Sequence, residues 1–313
     1  MWRYTLVRIL SAIPVIAVVG VITFSIIHIA PGDPAAIIGG DEATVEDLER
    51  IRAQLGTDQP IHIQFVRWIG RLAQGDLGTS IFSKKSITSL MAPRLQPTIS
   101  LGVQVIVLST LLGISIGVIS AWKAGTAVDR GFMFFAVLGF SAPGFWLAFI
   151  LIWVFAVNLG WFPALGYRPI GDGLFSHIHS MFLPVAVNSI LSSAFISRIT
   201  RSAMLDVLRE DFVRTARAKG LRELAVYMRH AFRPASIPVV TVIGASIASL
   251  ATGFVVTESI FAIPGLGRML IEAIIRRDFP IIQAMMMVVA TAYVMINLVI
   301  DIFYAYLDPR IRY

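Results

Sequence analysis

Apolar residues in this chain gather into six long runs, at 9–30, 99–122, 131–158, 181–199, 237–260 and 281–306, with polar segments between them. Each run is near or above the roughly 20 residues a helix needs to cross a hydrocarbon core. The pattern therefore predicts an all-α membrane protein with six transmembrane helices. The first run carries no charged residue, follows Arg3 and Arg8, and exceeds the apolar core of a signal peptide. His28-Ile29-Ala30 also lacks a small residue at the first position of a cleavage site, so the run reads as a retained span. Six spans place both termini on one side.

The segment 31–97 is too long and too polar for a simple turn. Thr44 with Asp47 three residues later forms a capping-box pattern, and Leu48, Ile51 and Leu55 follow at helical spacing until Gly56. A second periodic set, Ile61, Phe65, Trp68 and Leu72, ends near Gly75. The segment reads as a helical cap packed on the spans, and such a cap can also face an external delivery protein. The expected organisation is a tail and first span over 1–30, an external helical region over 31–97, and a five-helix core over 98–313 with a cytoplasmic loop at 204–235.

Composition supports the bilayer as solvent, with 57% hydrophobic and only 14% charged residues. The absence of cysteine excludes disulfides, thiolate catalysis and cysteine-ligated metal centres. The net charge of +7 would fit nucleic acid in a soluble chain, but here the placement of the bases matters more than their sum. Arg198, Arg201, Arg209, Arg214, Arg217, Lys219, Arg222, Arg229 and Arg233 stand against Asp206, Glu210, Asp211 and Glu223 in one loop, and Lys123 and Arg130 lie in another. The positive-inside rule puts both loops, and with them both termini, in the cytoplasm. Arg268, Arg276 and Arg277, in the connection before the last run, oppose that bias without outweighing it.

Within the runs, Pro14, Ser141-Ala142-Pro143-Gly144 and Pro184 mark expected kinks. Gly113 and Gly117 form a small-xxx-small pair that marks close helix packing.

Catalytic signatures are missing from the sequence. None of the four lysines, Lys84, Lys85, Lys123 and Lys219, sits in a GxxxxGK[ST] phosphate loop, and there is no HExxH, GxSxG or carboxylate–histidine cluster. The chain is expected to be no enzyme, with no cofactor or metal of its own. His177 and His179, two apart in what reads as a polar external loop, do not make a metal site by themselves. Ionisable and amide groups within spans are the functional candidates. Glu258 either gates a polar pathway or caps the return segment 261–267, and Gln104, Asn188 and Asn297 either line a path or bond between helices. Asp301, on one face with Asn297, is expected to pair with a loop arginine.

The densest constellation lies in the cytoplasmic loop. Leu205, Leu208, Phe212 and Ala216 recur at spacings of three and four and predict one amphipathic helix with a basic opposite face. Gly220 is placed to end it in the left-handed conformation. In the next segment Leu224, Met228 and Ala231 share one stripe, and Arg222, Arg229 and Arg233 another, until Pro234 and Pro238. A helix pair of this kind can lie on anionic lipid, but small residues at Thr215, Ala216 and Ala218 beside a glycine suit close packing against another protein.

That loop resembles the EAA loop of ABC importer permeases: Arg214-Thr215-Ala216 followed by Gly220 has the EAA-xxx-G spacing, with Arg214 in place of Glu and Thr215 in place of the first Ala. Pro31-Gly32-Asp33-Pro34, Gly75-Asp76-Leu77-Gly78-Thr79-Ser80, Glu258 through Gly267-Arg268, and Leu307-Asp308-Pro309-Arg310-Ile311-Arg312 are similar, in the same order, to the dipeptide and oligopeptide permease family of the first-permease type. The resemblance implies the type I ABC importer permease fold and a bacterial inner-membrane location. It implies a second homologous permease, two ABC ATPase subunits that bind ATP and Mg, and a periplasmic substrate-binding protein as partners, with no nucleic acid. Arg214, Thr215, Ala216, Arg217, Ala218, Lys219 and Gly220 would then dock an ATPase. Di- or oligopeptides, glutathione and nickel chelates are the cargoes it allows. A gradient-driven secondary transporter is the alternative, and it calls for paired intramembrane carboxylates or an inverted repeat, neither of which is evident. A membrane anchor or assembly factor without a transport path is a third reading.

Overall fold

The computed structural model describes residues 2–29, 35–36, 43–55 and 57–307, and its regular elements are helical apart from one isolated bridge between Thr79 and Ser86. The motif residues Pro31 to Pro34, Gly56 and Asp308 to Arg312 lie outside the described residues. The helices are α1 (Trp2–Ile29), α2 (Val45–Leu55), α3 (Ile61–Ala73), α4 (Ile87–Trp122), α5 (Ala127–Ser141), α6 (Gly144–Leu151), α7 (Leu174–Val207), α8 (Asp211–Ala218), α9 (Phe232–Ile260), α10 (Leu266–Arg276) and α11 (Phe279–Leu307). Among the described residues four helices, α1, α4, α7 and α11, are long and apolar enough to cross a membrane, or five if the bent pair α5 and α6 is one span. Helix α9, at 29 residues, contains the run at 237–260. The expected six spans are compatible with that count.

The third run breaks at its expected kink: the chain bends by 110° between α5 and the stretch Gly144–Asn158. The cause is local: a residue before proline is pushed out of the helical region, and Ala142 accordingly has φ −77° and ψ 134°. Pro143, at φ −62°, then leads into α6, where its missing N–H costs nothing.

The chain divides into two compact units, one of Trp2–Gln96 with Gly265–Met295, the other of Pro97–Pro264 with the chain from Ile296. In the first unit, Phe65 and Trp68 of α3 meet Phe24 of α1 at ring-centroid distances of 5.2 and 5.7 Å, which is the packing expected of the helical cap. The Thr44 capping box forms as expected: the Asp47 N–H donates to Thr44 Oγ1 (3.2 Å) and the Thr44 hydroxyl donates to Asp47 Oδ2 (2.7 Å). The Thr44 hydroxyl, and with it the Thr44 N–H (3.4 Å), donates to Oδ2 and holds the Asp47 carboxyl below its ordinary range. Ile87 and Met91 at the start of α4 pack with Met269 and Ala273 of α10 and Met285 of α11.

In the second unit, Leu101 and Val105 of α4, Met181, Leu183 and Val187 of α7, and Phe254 of α9 form a buried core with Phe261 and Ile263. The Gly113/Gly117 pair brings α4 against α7 of the same chain. A Cβ on Gly117 would lie 2.4 Å from Thr200 Cβ, and one on Gly113 2.6 Å from Ile196 Cβ, so hydrogen is the only side chain that fits.

Candidate coupling loop and intramembrane polar groups

The stretch 205–216 falls in two helices rather than the single one predicted. Helix α7 ends at Val207, a turn follows through Glu210, whose N–H bonds to Val207 O (3.1 Å), and α8 starts afresh at Asp211. The new start rotates the face: Val213 and Ala216 are buried with Val226, while Phe212 is 46% exposed. Ala216 thus serves the loop's own core, and the expected set of Leu205, Leu208, Phe212 and Ala216 does not share one face. Helix α8 ends as the sequence required. Gly220 has φ +74°, its N–H reaches Arg217 O (2.9 Å), and the Leu221 N–H reaches Ala216 O (3.4 Å), the paired bonds of a Schellman cap.

A second correction follows the cap. Residues Val226–Ala231 form a π-helical stretch, which adds a residue to the turn and shifts every later side chain around the axis. Val226, Tyr227 and Ala231 are buried, whereas Leu224 and Met228, predicted to share an apolar stripe with Ala231, are exposed. Tyr227 packs against Trp122 at the end of α4 with ring centroids 6.0 Å apart.

The exposed surface of the loop therefore carries Phe212, Leu221, Leu224 and Met228 between charged groups. Arg214 pairs with Asp211 (3.3 Å), and Arg217 reaches both oxygens of Glu223 (3.0 and 3.4 Å). Both pairs are solvent-exposed, and such pairs contribute at most about 1 kcal/mol. Thr215 Oγ1 donates to Asp211 O (3.0 Å), and Ala218 and Lys219 are exposed at the helix end.

Beneath the loop lies an ion pair that the sequence did not single out. Arg201 of α7 grips Asp129 of α5 through two parallel bonds, Nε to Oδ1 (2.6 Å) and an η-nitrogen to Oδ2 (2.7 Å). Asp129 is buried, and the Gly125 N–H also donates to its Oδ2 (2.9 Å). The pair fastens the start of α5 to the last turns of α7. Arg201 had looked like one of many topological arginines; the available signal was a lone acid, Asp129, at the mouth of an apolar run.

The intramembrane candidates do not converge on one site. Glu258 is fully buried and accepts a 2.6 Å bond from the Thr98 hydroxyl, tying α9 to α4. Asn188 of α7 bonds its own Pro184 O (2.8 Å) and Thr257 Oγ1 of α9 (3.1 Å). Gln104 lies by Ser100 Oγ (3.0 Å) and His177 Nε2 (3.1 Å), which ties α4 to α7. All three bond between helices in this conformation. His177 is not in a loop, because α7 starts at Leu174, and two residues apart on a helix place His177 and His179 about 200° apart. His177 is buried with Nδ1 on Arg168 O (2.6 Å), while His179 reaches Trp161 O (2.9 Å). Among the described residues no three His, Cys, Asp or Glu side chains gather into a possible metal site.

A sequence model of the binding-protein-dependent transport system inner membrane component matches residues 113–313, and that of the N-terminal part of such components matches residues 1–102. The chain belongs to this family. The chain is similar to a probable peptide ABC transporter permease protein of Sinorhizobium fredii, 43% identical over 99% of both chains. A dipeptide transport system permease protein of Alkalihalophilus pseudofirmus is 40% identical and a glutathione transport system permease protein of Salmonella paratyphi A 41% identical, each over the full length of both chains. Among solved structures, an amino acid ABC transporter shares the fold with a TM-score of 0.51 and 16% identity, covering 72% of this chain and 95% of its own. Among the described residues the regular elements are thus helical, and the fold is similar to that of an ABC transporter chain.

Proposed function

We propose that this inner membrane component is the permease subunit of an ATP-binding-cassette importer for di- or oligopeptides or a related small solute. It forms the translocation path with a second, homologous permease, is energised by two separate ATPase subunits, and receives its cargo from a binding protein outside the membrane. ATP hydrolysis belongs to those ATPases, since this chain has no phosphate loop of its own. Both termini and the loop at 204–235 face the cytoplasm.

The observation that carries this reading is helix α8 with its Schellman cap at Gly220, presented at the end of a membrane helix in a chain of a binding-protein-dependent family. The cap stops the helix after two turns and leaves its end exposed. Arg214, Thr215, Arg217, Ala218, Lys219 and Gly220 supply the docking edge, with Phe212, Leu221 and Leu224 as apolar contacts. Ala216 acts from inside by packing α8 on Val226. ATP-driven closure of the ATPases pushes on this loop, and the Arg201–Asp129 pair passes the displacement to α7 and α5. The spans then exchange inward- and outward-facing arrangements, whose populations nucleotide biases.

Gly220→Trp tests the docking edge. A Cβ at Gly220 meets nothing within 4 Å, so a side chain can leave the backbone there without a clash at its first atom. The left-handed backbone costs a non-glycine residue about 1–2 kcal/mol. The variant is expected to insert and to hydrolyse ATP in complex while losing uptake. Normal uptake by a correctly inserted Gly220→Trp complex would exclude docking at this edge.

A further inference from the structure

One surface of the first unit runs against the charge bias that fixes the orientation. Arg276 ends α10 and Arg277 follows it in the short connection to α11, which that orientation places outside, where excess Lys and Arg is disfavoured. Asp278, buried beside them, accepts the Ser80 hydroxyl (2.6 Å) and the Ile81 N–H (3.3 Å). That clasp fastens the turn of residues 80–85 to the turn at 277–278. The first turn is closed by its own bonds, Lys84 N–H to Ser80 O (3.1 Å) and Ser80 N–H to Lys85 O (3.0 Å).

Four exposed cations result, Lys84, Lys85, Arg276 and Arg277, and none has an ion-pair partner among the described residues. Glu272, the nearby acid, is instead engaged by Arg268 (3.1 Å) and Arg94 (4.0 Å). Phe82 is exposed on the first of these turns, and Ile274 and Ile275 are exposed at the end of α10, Ile275 at 76%. Lys84 and Arg277 also stand at φ 57° and 56°, two of the three non-glycine residues with positive φ among the described residues. Such conformations persist where the surroundings over-determine them, commonly at ligand clamps. Here the Asp278 clasp supplies the constraint, so two cations are aimed outward from fixed turns.

We propose that this patch is where an acidic face of the substrate-binding protein docks. The inference rests on the importer reading above and names a surface for its delivery partner. Exposed apolar residues ringed by charge have the anatomy of a transient protein interface, with unsatisfied cations speeding encounter with an acidic partner. Lys84, Lys85 and Arg277, held on turns rather than along a helix face, fit a shaped protein surface better than a lipid surface.

The test uses the complete complex in nanodiscs with its binding protein, following stimulated ATP hydrolysis against binding-protein concentration. The Lys84→Glu/Arg277→Glu pair is expected to raise the half-saturating concentration about tenfold at low salt, with the maximal rate unchanged. Raising the salt should weaken the unmutated complex's half-saturation and narrow the gap between the two. Lys85→Glu/Arg276→Glu, at positions with ordinary backbone, should act alike, and Arg67→Glu on α3 should have no effect. Unmoved half-saturation in both double variants overturns the surface alone. A shift seen in anionic nanodiscs and lost in phosphatidylcholine nanodiscs overturns it in favour of lipid. No stimulation of the unmutated complex overturns the importer reading and the surface with it.

Discussion

Replacing Arg201 with methionine is expected to be among the most damaging single changes in the chain. It leaves Asp129, whose side chain is 4% exposed, without its two guanidinium bonds and with only the Gly125 N–H. Breaking a buried pair from one side costs about 3–5 kcal/mol, because an uncompensated charge is left behind. The Arg201 side chain is 28% exposed, which places the loss near the lower end, about 3 kcal/mol. The checking measurement is thermal unfolding in detergent, followed by transport in those complexes that assemble. Removing the charge as well, in Arg201→Met/Asp129→Leu, should recover most of the stability, since apolar replacements of buried pairs are often neutral. Recovered stability without recovered uptake would show that the pair transmits the motion of the loop; equal melting of Arg201→Met and the unmutated chain would show that the pair holds nothing.

The second large effect is at Gly117. A methyl there would lie 2.4 Å from Thr200 Cβ and 2.7 Å from Ser197 O, and neither backbone oxygen nor Cβ can step aside. Gly117→Ala must therefore push α4 and α7 apart, at a cost of about 1–3 kcal/mol for overpacking and more if the core below opens. Gly131→Ala is the control, because nothing lies within 4 Å of its Cβ position and alanine is the better helix former by about 1 kcal/mol. Thermal unfolding should lower the first and spare or raise the second. Equal stability of Gly117→Ala and the parent would contradict the close approach of the two helices.

What the sequence made legible follows from how strongly each residue constrains its neighbours. Apolar runs long enough to cross a bilayer are set by solvent rather than by partners, so the positions of α1, α4, α7, α9 and α11 could be read in advance. Gly220 was legible for a similar reason, since a glycine after a periodic segment has few other uses. The break at Ala142-Pro143 was visible as a kink, but its 110° size depends on what each half packs against. Faces failed where periodicity was interrupted: the restart at Asp211 and the π turn at Val226–Ala231 each rotate the helix by an amount no count of apolar spacings contains. Pairs distant in sequence failed altogether. Asp129 with Arg201, Ser80 with Asp278 and Thr98 with Glu258 are 72, 198 and 160 residues apart, and nothing in either partner's local pattern points to the other. The candidates Gln104, Asn188 and Glu258 were found as costly polar groups in apolar runs, while their interhelical partners emerged only from the fold.

The central claim is that this chain is a permease driven by separate ATPases and fed by a binding protein. Its most direct test is uptake of a labelled dipeptide into proteoliposomes holding the purified complex, with each component omitted in turn. The account predicts uptake that requires ATP on the loop-bearing side and the binding protein on the opposite side, with no uptake when either is withheld. Uptake by this chain alone, driven by an ion gradient without ATPase subunits or binding protein, would contradict it.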